Sequence, residues 1–122
     1  MNTTRVLIVD DMQQVRQDLS TALTLAGNIE ILGEAADGLE AIRLAESLQP
    51  DVILMDLEMP HLDGYEATRE IKSRWPACRV VVLTVHGYET ARQKAMQAGA
   101  DDFIVKGAPL ESLVKAISKR KE

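Results

Sequence analysis

Aromatic side chains are scarce: Phe, Tyr and Trp make up 3% of the 122 residues. The interior must therefore be filled by Val, Ile, Leu, Met and Ala. Cysteine occurs once, as Cys78, which excludes an internal disulfide and the paired spacings of a cysteine metal site. A reducing compartment is the expectation. Long apolar runs are missing too: Val6–Val9 near the N-terminus is too short for a signal peptide core, and no run reaches the length of a membrane span. The expected location is cytoplasmic. Positive charge is in deficit, and a net charge of −5 argues against nucleic acid wrapping by simple electrostatics. Lys115, Lys119, Arg120 and Lys121 do gather near the end, where they read as cations favourable at the C-terminus of a last helix. No linker, repeat or low-complexity stretch interrupts the chain, and its length suits one domain spanning 1–122.

What is present is strict alternation. Short apolar runs stand at 5–10 (RVLIVD), 29–35 (IEILGEA), 51–56 (DVILMD), 79–84 (RVVVLT) and 101–106 (DDFIVK). The first, third and fourth have no polar alternation, the pattern of strands buried on both faces of a parallel sheet. Helical spacing fills the gaps. Met12, Val15, Leu19, Ala22, Leu23 and Ala26 mark a helix over 12–26 that Gly27 stops. Further helices are expected over 38–49, 64–75, 88–98 and 109–120, the last opening with Pro109 at its first helical position. Five strands alternating with five helices predict right-handed crossovers and helices on both faces of one sheet. The expected class is α/β, a flavodoxin-like (βα)5 doubly wound parallel sheet with strand order 2-1-3-4-5. Ligands in such sheets lie beyond the carboxyl ends of the strands, where the strand order reverses.

The strand ends carry matched polar groups. The first ends in Asp10 and Asp11, the third in Asp56, the fourth in Thr84 and the fifth in Lys106. With the first and third strands adjacent, the three carboxylates fall within a few ångströms of one another. Two carboxylates about 5 Å apart repel by roughly 3 kcal/mol at an effective dielectric of about 20. A fold stable by only about 5–15 kcal/mol needs compensation for three such groups. A hard divalent cation with oxygen ligands supplies it, and Mg²⁺ fits that description. Cation, Lys106 and the Thr84 hydroxyl together would receive a phosphoryl group, for which an Asp carboxylate is an adequate nucleophile. Taken singly, each residue has a plainer reading: Asp11 as a helix cap, Asp56 as a loop acid, Lys106 as a solvated cation.

LIVDD (7–11), ADGLEAI (36–42), DVILMDLEMPHLDG (51–64), VVLT (81–84) and AMQAGADDFIVK (95–106), with the amphipathic last helix, resemble the receiver domains of two-component response regulators. The resemblance covers essentially the whole chain. It implies that Asp56 accepts a phosphoryl group from a phosphohistidine of a sensor histidine kinase. It further implies that Asp11 ligates Mg²⁺ directly, Asp10 acts mainly through a metal-bound water, and the Glu58 backbone carbonyl completes the protein ligands. Lys106 would pair with the phosphoryl group, and Thr84 would hydrogen-bond it and move inward. Phe103, the sole Phe, matches the aromatic position that follows Thr84 between exposed and buried rotamers, and its other reading is plain core packing. A carboxylate gains less charge on phosphorylation than a hydroxyl does. The switch would accordingly act through placement of Thr84, altering the surface of the fourth helix, fifth strand and fifth helix. Such a protein is no enzyme in the usual sense but a phosphoacceptor that assists its own phosphorylation and dephosphorylation.

The family commonly has Lys-Pro after the fifth strand; here the pair is Lys106–Gly107, with proline at Pro109. A cis bond without proline costs about 2.5–4 kcal/mol, so trans is expected. The Lys-Gly form resembles receivers of helix-turn-helix transcription factors, and DNA would be reached only through an output domain that these residues do not include. A stand-alone receiver and a phosphorylation-independent binding module are the alternatives. Homodimerisation on phosphorylation, through the output surface or the first helix, is a further expectation. By the resemblance, Glu58 and His86, two residues after Asp56 and Thr84, would tune water access to the acyl phosphate, with a plain loop histidine the equal alternative at His86. Met59–Pro60 and Asp63–Gly64 read as loop and helix-start chemistry, and His61 as surface. An aspartyl phosphohydrolase would need a capping module for which the chain has no room. A flavin carrier would suffer repulsion between the flavin phosphate and Asp10 and Asp11.

Overall fold

The computed structural model describes residues 3–85 and 87–119. Along the chain run β1 (Thr4–Val9), α1 (Gln13–Ala26), β2 (Ile29–Ala35), α2 (Gly38–Leu48), β3 (Val52–Met55), α3 (Gly64–Arg74), β4 (Arg79–Thr84), α4 (Glu89–Gln97), β5 (Asp102–Val105) and α5 (Leu110–Ser118). The strands form one parallel sheet in the order β2-β1-β3-β4-β5. Both the alternation and the strand order match the expectation.

Successive residues of a strand point to opposite faces, and the buried residues sort accordingly. Leu7, Val9, Ile53, Met55, Val80 and Val82 meet Ala41, Ala45, Ala67, Ile71, Ala91 and Ala95, so α2, α3 and α4 cover one face. Val6, Ile8, Val52, Leu54, Val81 and Leu83 meet Leu23, Leu113, Ala116 and Ile117 of α1 and α5 on the other. Each fully buried Val, Leu or Ile contributes about 1.5–3 kcal/mol of transfer free energy. Alanines on α2, α3 and α4 let those helices approach the sheet closely, which suits a core with few rings. No described helix is long and apolar enough to cross a membrane. Burial pushes the Cys78 thiol from 9.0 up to about 11, leaving it protonated and inert near neutrality.

The amino edge of the sheet is stapled by cations bonded to carbonyls. Arg5 donates to the carbonyls of Leu48 and Gln49, both at 2.8 Å. Lys72 Nζ donates to Cys78 O and to Asp101 Oδ2, each at 2.9 Å, and Asp101 Oδ2 also accepts from the Val80 amide. Arg79, 8% exposed, donates to Ala116 O and, at 3.0 Å, to Ile117 O. Its guanidinium therefore neutralises the negative end of α5. Of the C-terminal basic cluster, Arg120 and Lys121 lie outside the described residues.

Two local expectations shift. Pro109 is the N-cap of α5 and not its first helical residue, because its ψ of 142° is still extended. Asp10, Asp56 and Lys106 each stand just past the last strand residue. No described peptide bond is cis, so Lys106–Gly107 is trans as expected, with Gly107 at φ 100°.

Candidate functional site

The sheet's hydrogen bonding continues past the strand ends and fixes the acidic residues in line. The Asp10 amide donates to Ala35 O and the Asp56 amide to Val9 O, both at 3.0 Å. One carboxylate oxygen from each of Asp10, Asp11 and Asp56 falls within 4.8 Å of the others. Asp10 is 2% and Asp56 8% exposed, whereas Asp11 is open to solvent. The helix-cap reading of Asp11 does not hold. Met12 occupies the N-cap of α1 with no side-chain cap bond, and the Met12 amide donates instead to Asp10 Oδ1 at 2.9 Å.

Lys106 enters from the end of β5, its amide donating to Thr84 O at 2.7 Å. Its Nζ donates to Asp10 Oδ2 at 2.9 Å and lies 3.7 Å from Asp56 Oδ1. Burial and then repulsion from Asp10 push Asp56 from 3.8 up to about 6; Lys106 opposes them and Asp11 adds to them. Burial disfavours the Lys106 charge, yet the hydrogen bond to Asp10 and the negative charges of Asp56 and Asp10 outweigh it, and its pKa is raised. One ammonium does not balance three carboxylates. A donor set made only of carboxylate oxygens, with spare acidity of this kind, fits a hard divalent cation.

The loop after β3 is built around the acceptor position. Leu57 is buried and Glu58 exposed. Gly64 has no room for a side chain: an added Cβ would stand 2.2 Å from Asp56 O. The start of α3 thus presses on the backbone of Asp56, while Asp63 caps that helix by accepting from the Glu66 amide at 2.9 Å. Gly38, where an added Cβ would stand 2.3 Å from Leu62 O, docks α2 on the same loop. His61, read from the sequence as surface, is exposed but pairs through Nδ1 with Asp37 Oδ2 at 2.9 Å. The hydrogen bond from the Glu40 amide, then that with His61, holds the Asp37 carboxyl below its usual range.

Thr84, 1% exposed, ends β4 on the same edge. Phe103 is half-buried and packs against the α2–α3–α4 core. A cleft of about 340 Å³, lined by residues including Leu57, Glu58, Tyr65, Thr84 and Tyr88, opens beside the loop. Lys94 Nζ lies 4.7 Å from the Tyr65 ring centroid there, a contact for which the sequence offers no local signal. His86 lies outside the described residues. Also unforeseen is Arg16, which joins Asp10 O to Glu34 at the edge of the acidic cluster.

Residues 6–118 match the model of the response regulator receiver domain. The response regulator protein VraR of Staphylococcus aureus is 41% identical over 117 residues, covering 96% of this chain and 56% of VraR. The chain therefore spans about half the length of that curated relative. A DNA-binding response regulator of the LuxR family from Staphylococcus aureus superposes with a TM-score of 0.88 at 31% identity, covering 93% of this chain and 95% of that one. The CheX–CheY–BeF3–Mg²⁺ complex from Borrelia burgdorferi gives 0.87 at 27% identity, with 95% and 87% covered.

Proposed function

The chain belongs to the response regulator receiver domains, and on that premise we propose that it is a phosphorylation-dependent switch with Asp56 as the acceptor. One observation carries the reading: Asp10, Asp11 and Asp56 converge within 4.8 Å beside Lys106, with Asp56 pushed up to about 6. Asp10, Asp11, Asp56 and the Glu58 backbone carbonyl would hold Mg²⁺. The Borrelia relative, whose complex contains Mg²⁺ and BeF3, supports Mg²⁺ as the cation. When bound, the cation neutralises the carboxylates and the phosphoryl oxygens during transfer.

The chain's own groups do the rest. A carboxylate oxygen of Asp56 attacks phosphorus, a P–O bond forms, and the bond from phosphorus to the donor's imidazole nitrogen breaks, leaving an acyl phosphate. The donor is the phosphohistidine of a sensor histidine kinase. Lys106, already within 4 Å of Asp56, pairs with the phosphoryl oxygens. Thr84 turns its hydroxyl to them, and Phe103 follows into the space so released. Glu58 and His86 set the access of water and so the lifetime of the acyl phosphate. The protein turns over no separate substrate. Residues 1–122 act as one receiver unit in the cytoplasm.

The altered surface comprises α4, β5 and α5. Exposed Val85, Tyr88 and Val105 give it apolar contact area. Gly87 also lies close to β5, since a Cβ on it would stand 2.9 Å from Val105 Cγ2. The reading extends to the receiver of a DNA-binding transcriptional regulator, in line with the LuxR-family relative, and to dimerisation on phosphorylation.

The deciding experiment is intact mass after incubation with acetyl phosphate, with and without Mg²⁺, on the wild type and Asp56→Asn. A Mg²⁺-dependent gain of one phosphoryl group, absent in the variant, is expected. No gain in any sample would overturn the reading in favour of phosphorylation-independent protein binding.

A further inference from the structure

Asp10 is constrained at every polar atom. Its amide donates to Ala35 O, Oδ1 accepts from the Met12 amide, and Oδ2 accepts from Lys106. Its carbonyl oxygen accepts from Arg16 Nη1 at 2.6 Å. The same guanidinium donates from Nε to Glu34 Oε1 at 2.9 Å. The Arg16 side chain is 14% and that of Glu34 34% exposed. Arg16 belongs to α1 and Glu34 to β2, so one planar fork ties the helix and an edge strand to the end of β1.

The oxygen that Arg16 holds belongs to the peptide joining Asp10 to Asp11. A peptide unit is planar, so fixing its oxygen also fixes the direction in which Asp11 leaves. Asp11 lies between β1 and α1 and belongs to neither. The orientation of that one peptide therefore governs where the exposed carboxylate stands relative to the two buried ones. A rigid guanidinium anchored at its far side by Glu34 can set such an orientation; a flexible ammonium cannot do so equally well.

We propose that Arg16, held by Glu34, is a positioning residue that aims Asp11 so that the three carboxylates converge on the divalent cation. The proposal rests on the metal reading above. It also makes a claim opposite in sign to simple electrostatics. Arg16 is a cation near a cation site, so on Coulombic grounds its removal should tighten Mg²⁺ binding. If it orients the 10–11 peptide, its removal weakens binding, because partners behind metal ligands commonly govern affinity by about 10–100-fold.

The test is a calorimetric Mg²⁺ titration of the wild type, Arg16→Met, Arg16→Lys and the double variant Arg16→Met/Glu34→Gln, which removes both charges together. Thermal midpoints in EDTA and in Mg²⁺ accompany it. Expected are about tenfold weaker binding for Arg16→Met and for the double variant, and a smaller loss for Arg16→Lys. The Mg²⁺-induced rise in midpoint should shrink in step. A merely structural staple would lower the midpoint in EDTA and leave that rise unchanged, which would overturn the proposal. So would Mg²⁺ binding equal to or tighter than wild type in Arg16→Met or the double variant. Should Arg16→Met not fold, Arg16→Lys decides by the same criterion. A wild type that binds no Mg²⁺ would instead overturn the metal reading itself.

Discussion

The Lys106 ammonium stands 2.9 Å from Asp10 and 3.7 Å from Asp56. The ammonium is thus bonded to the more buried carboxylate and only near the acceptor. Replacing Lys106 by Met would leave Asp10, with a side chain 3% exposed, deprived of its counter-charge. The metal-free fold should lose about 3 kcal/mol, and Mg²⁺ should restore much of it. Urea unfolding in EDTA and in Mg²⁺ checks both parts.

Asp56→Asn should have the opposite effect. A carboxyl moved from 3.8 to about 6 carries a penalty of up to about 3 kcal/mol at neutral pH. That penalty already includes the Lys106 attraction; the cost of burying the asparagine amide offsets part of the gain, so about 1–2 kcal/mol is expected in EDTA. An unfolding midpoint below that of wild type would show that carboxylate crowding is not the dominant force at this site.

The same shift sets a pH dependence. Because Asp56 binds its proton more tightly folded than unfolded, native stability falls as pH rises from about 4 to about 6, then levels off. Below the unfolded value both states are protonated and the penalty vanishes. In EDTA, the stability advantage of Asp56→Asn should open across this window and stay constant above it. Saturating Mg²⁺ should remove the pH-dependent part, and parallel thermal melts would report it.

Gly64→Ala places a methyl group 2.2 Å from Asp56 O. Backbone must move, since the obstructing atom is not a flexible side-chain end. A loss of about 2–3 kcal/mol is expected, with slower phosphorylation because the displaced peptide is the acceptor's own. Acetyl phosphate kinetics and denaturant unfolding measure the two effects separately.

Arg79→Met should cost about 2 kcal/mol by stripping donors from two buried carbonyls of α5. Arg79→Lys should recover only part, because an ammonium does not reproduce the fork. Phosphorylation rate should stay near wild type in both, as Arg79 and Asp56 lie at opposite edges of the sheet. Chemical denaturation beside a mass assay tests this.

Much of this was legible in the chain because its signals are local. Apolar runs without alternation marked β1, β3 and β4, and residues just past them supplied the acidic cluster. The ends of elements were legible to one or two residues: Pro109 proved a cap because a proline's fixed φ leaves ψ free to remain extended. Arg16–Glu34, His61–Asp37 and Arg79–Ile117 were not legible, since each joins side chains or carbonyls 18 to 38 residues apart with no periodic pattern. A charged residue opening an otherwise apolar strand, as Arg79 does, and an acid near the end of another, as Glu34 is, were the available hints. The roles of Gly38 and Gly64 emerge only from close backbone approach.

The cationic staples at the amino edge have a practical corollary. Arg5, Lys72 and Arg79 tie loops and helix ends where no chemistry is proposed, while the carboxylates crowd the opposite edge. Durability and responsiveness thus occupy separate territories, at the two ends of the same strands. An engineer seeking a hardier receiver should be able to work at the first edge and leave the tuning of the second intact.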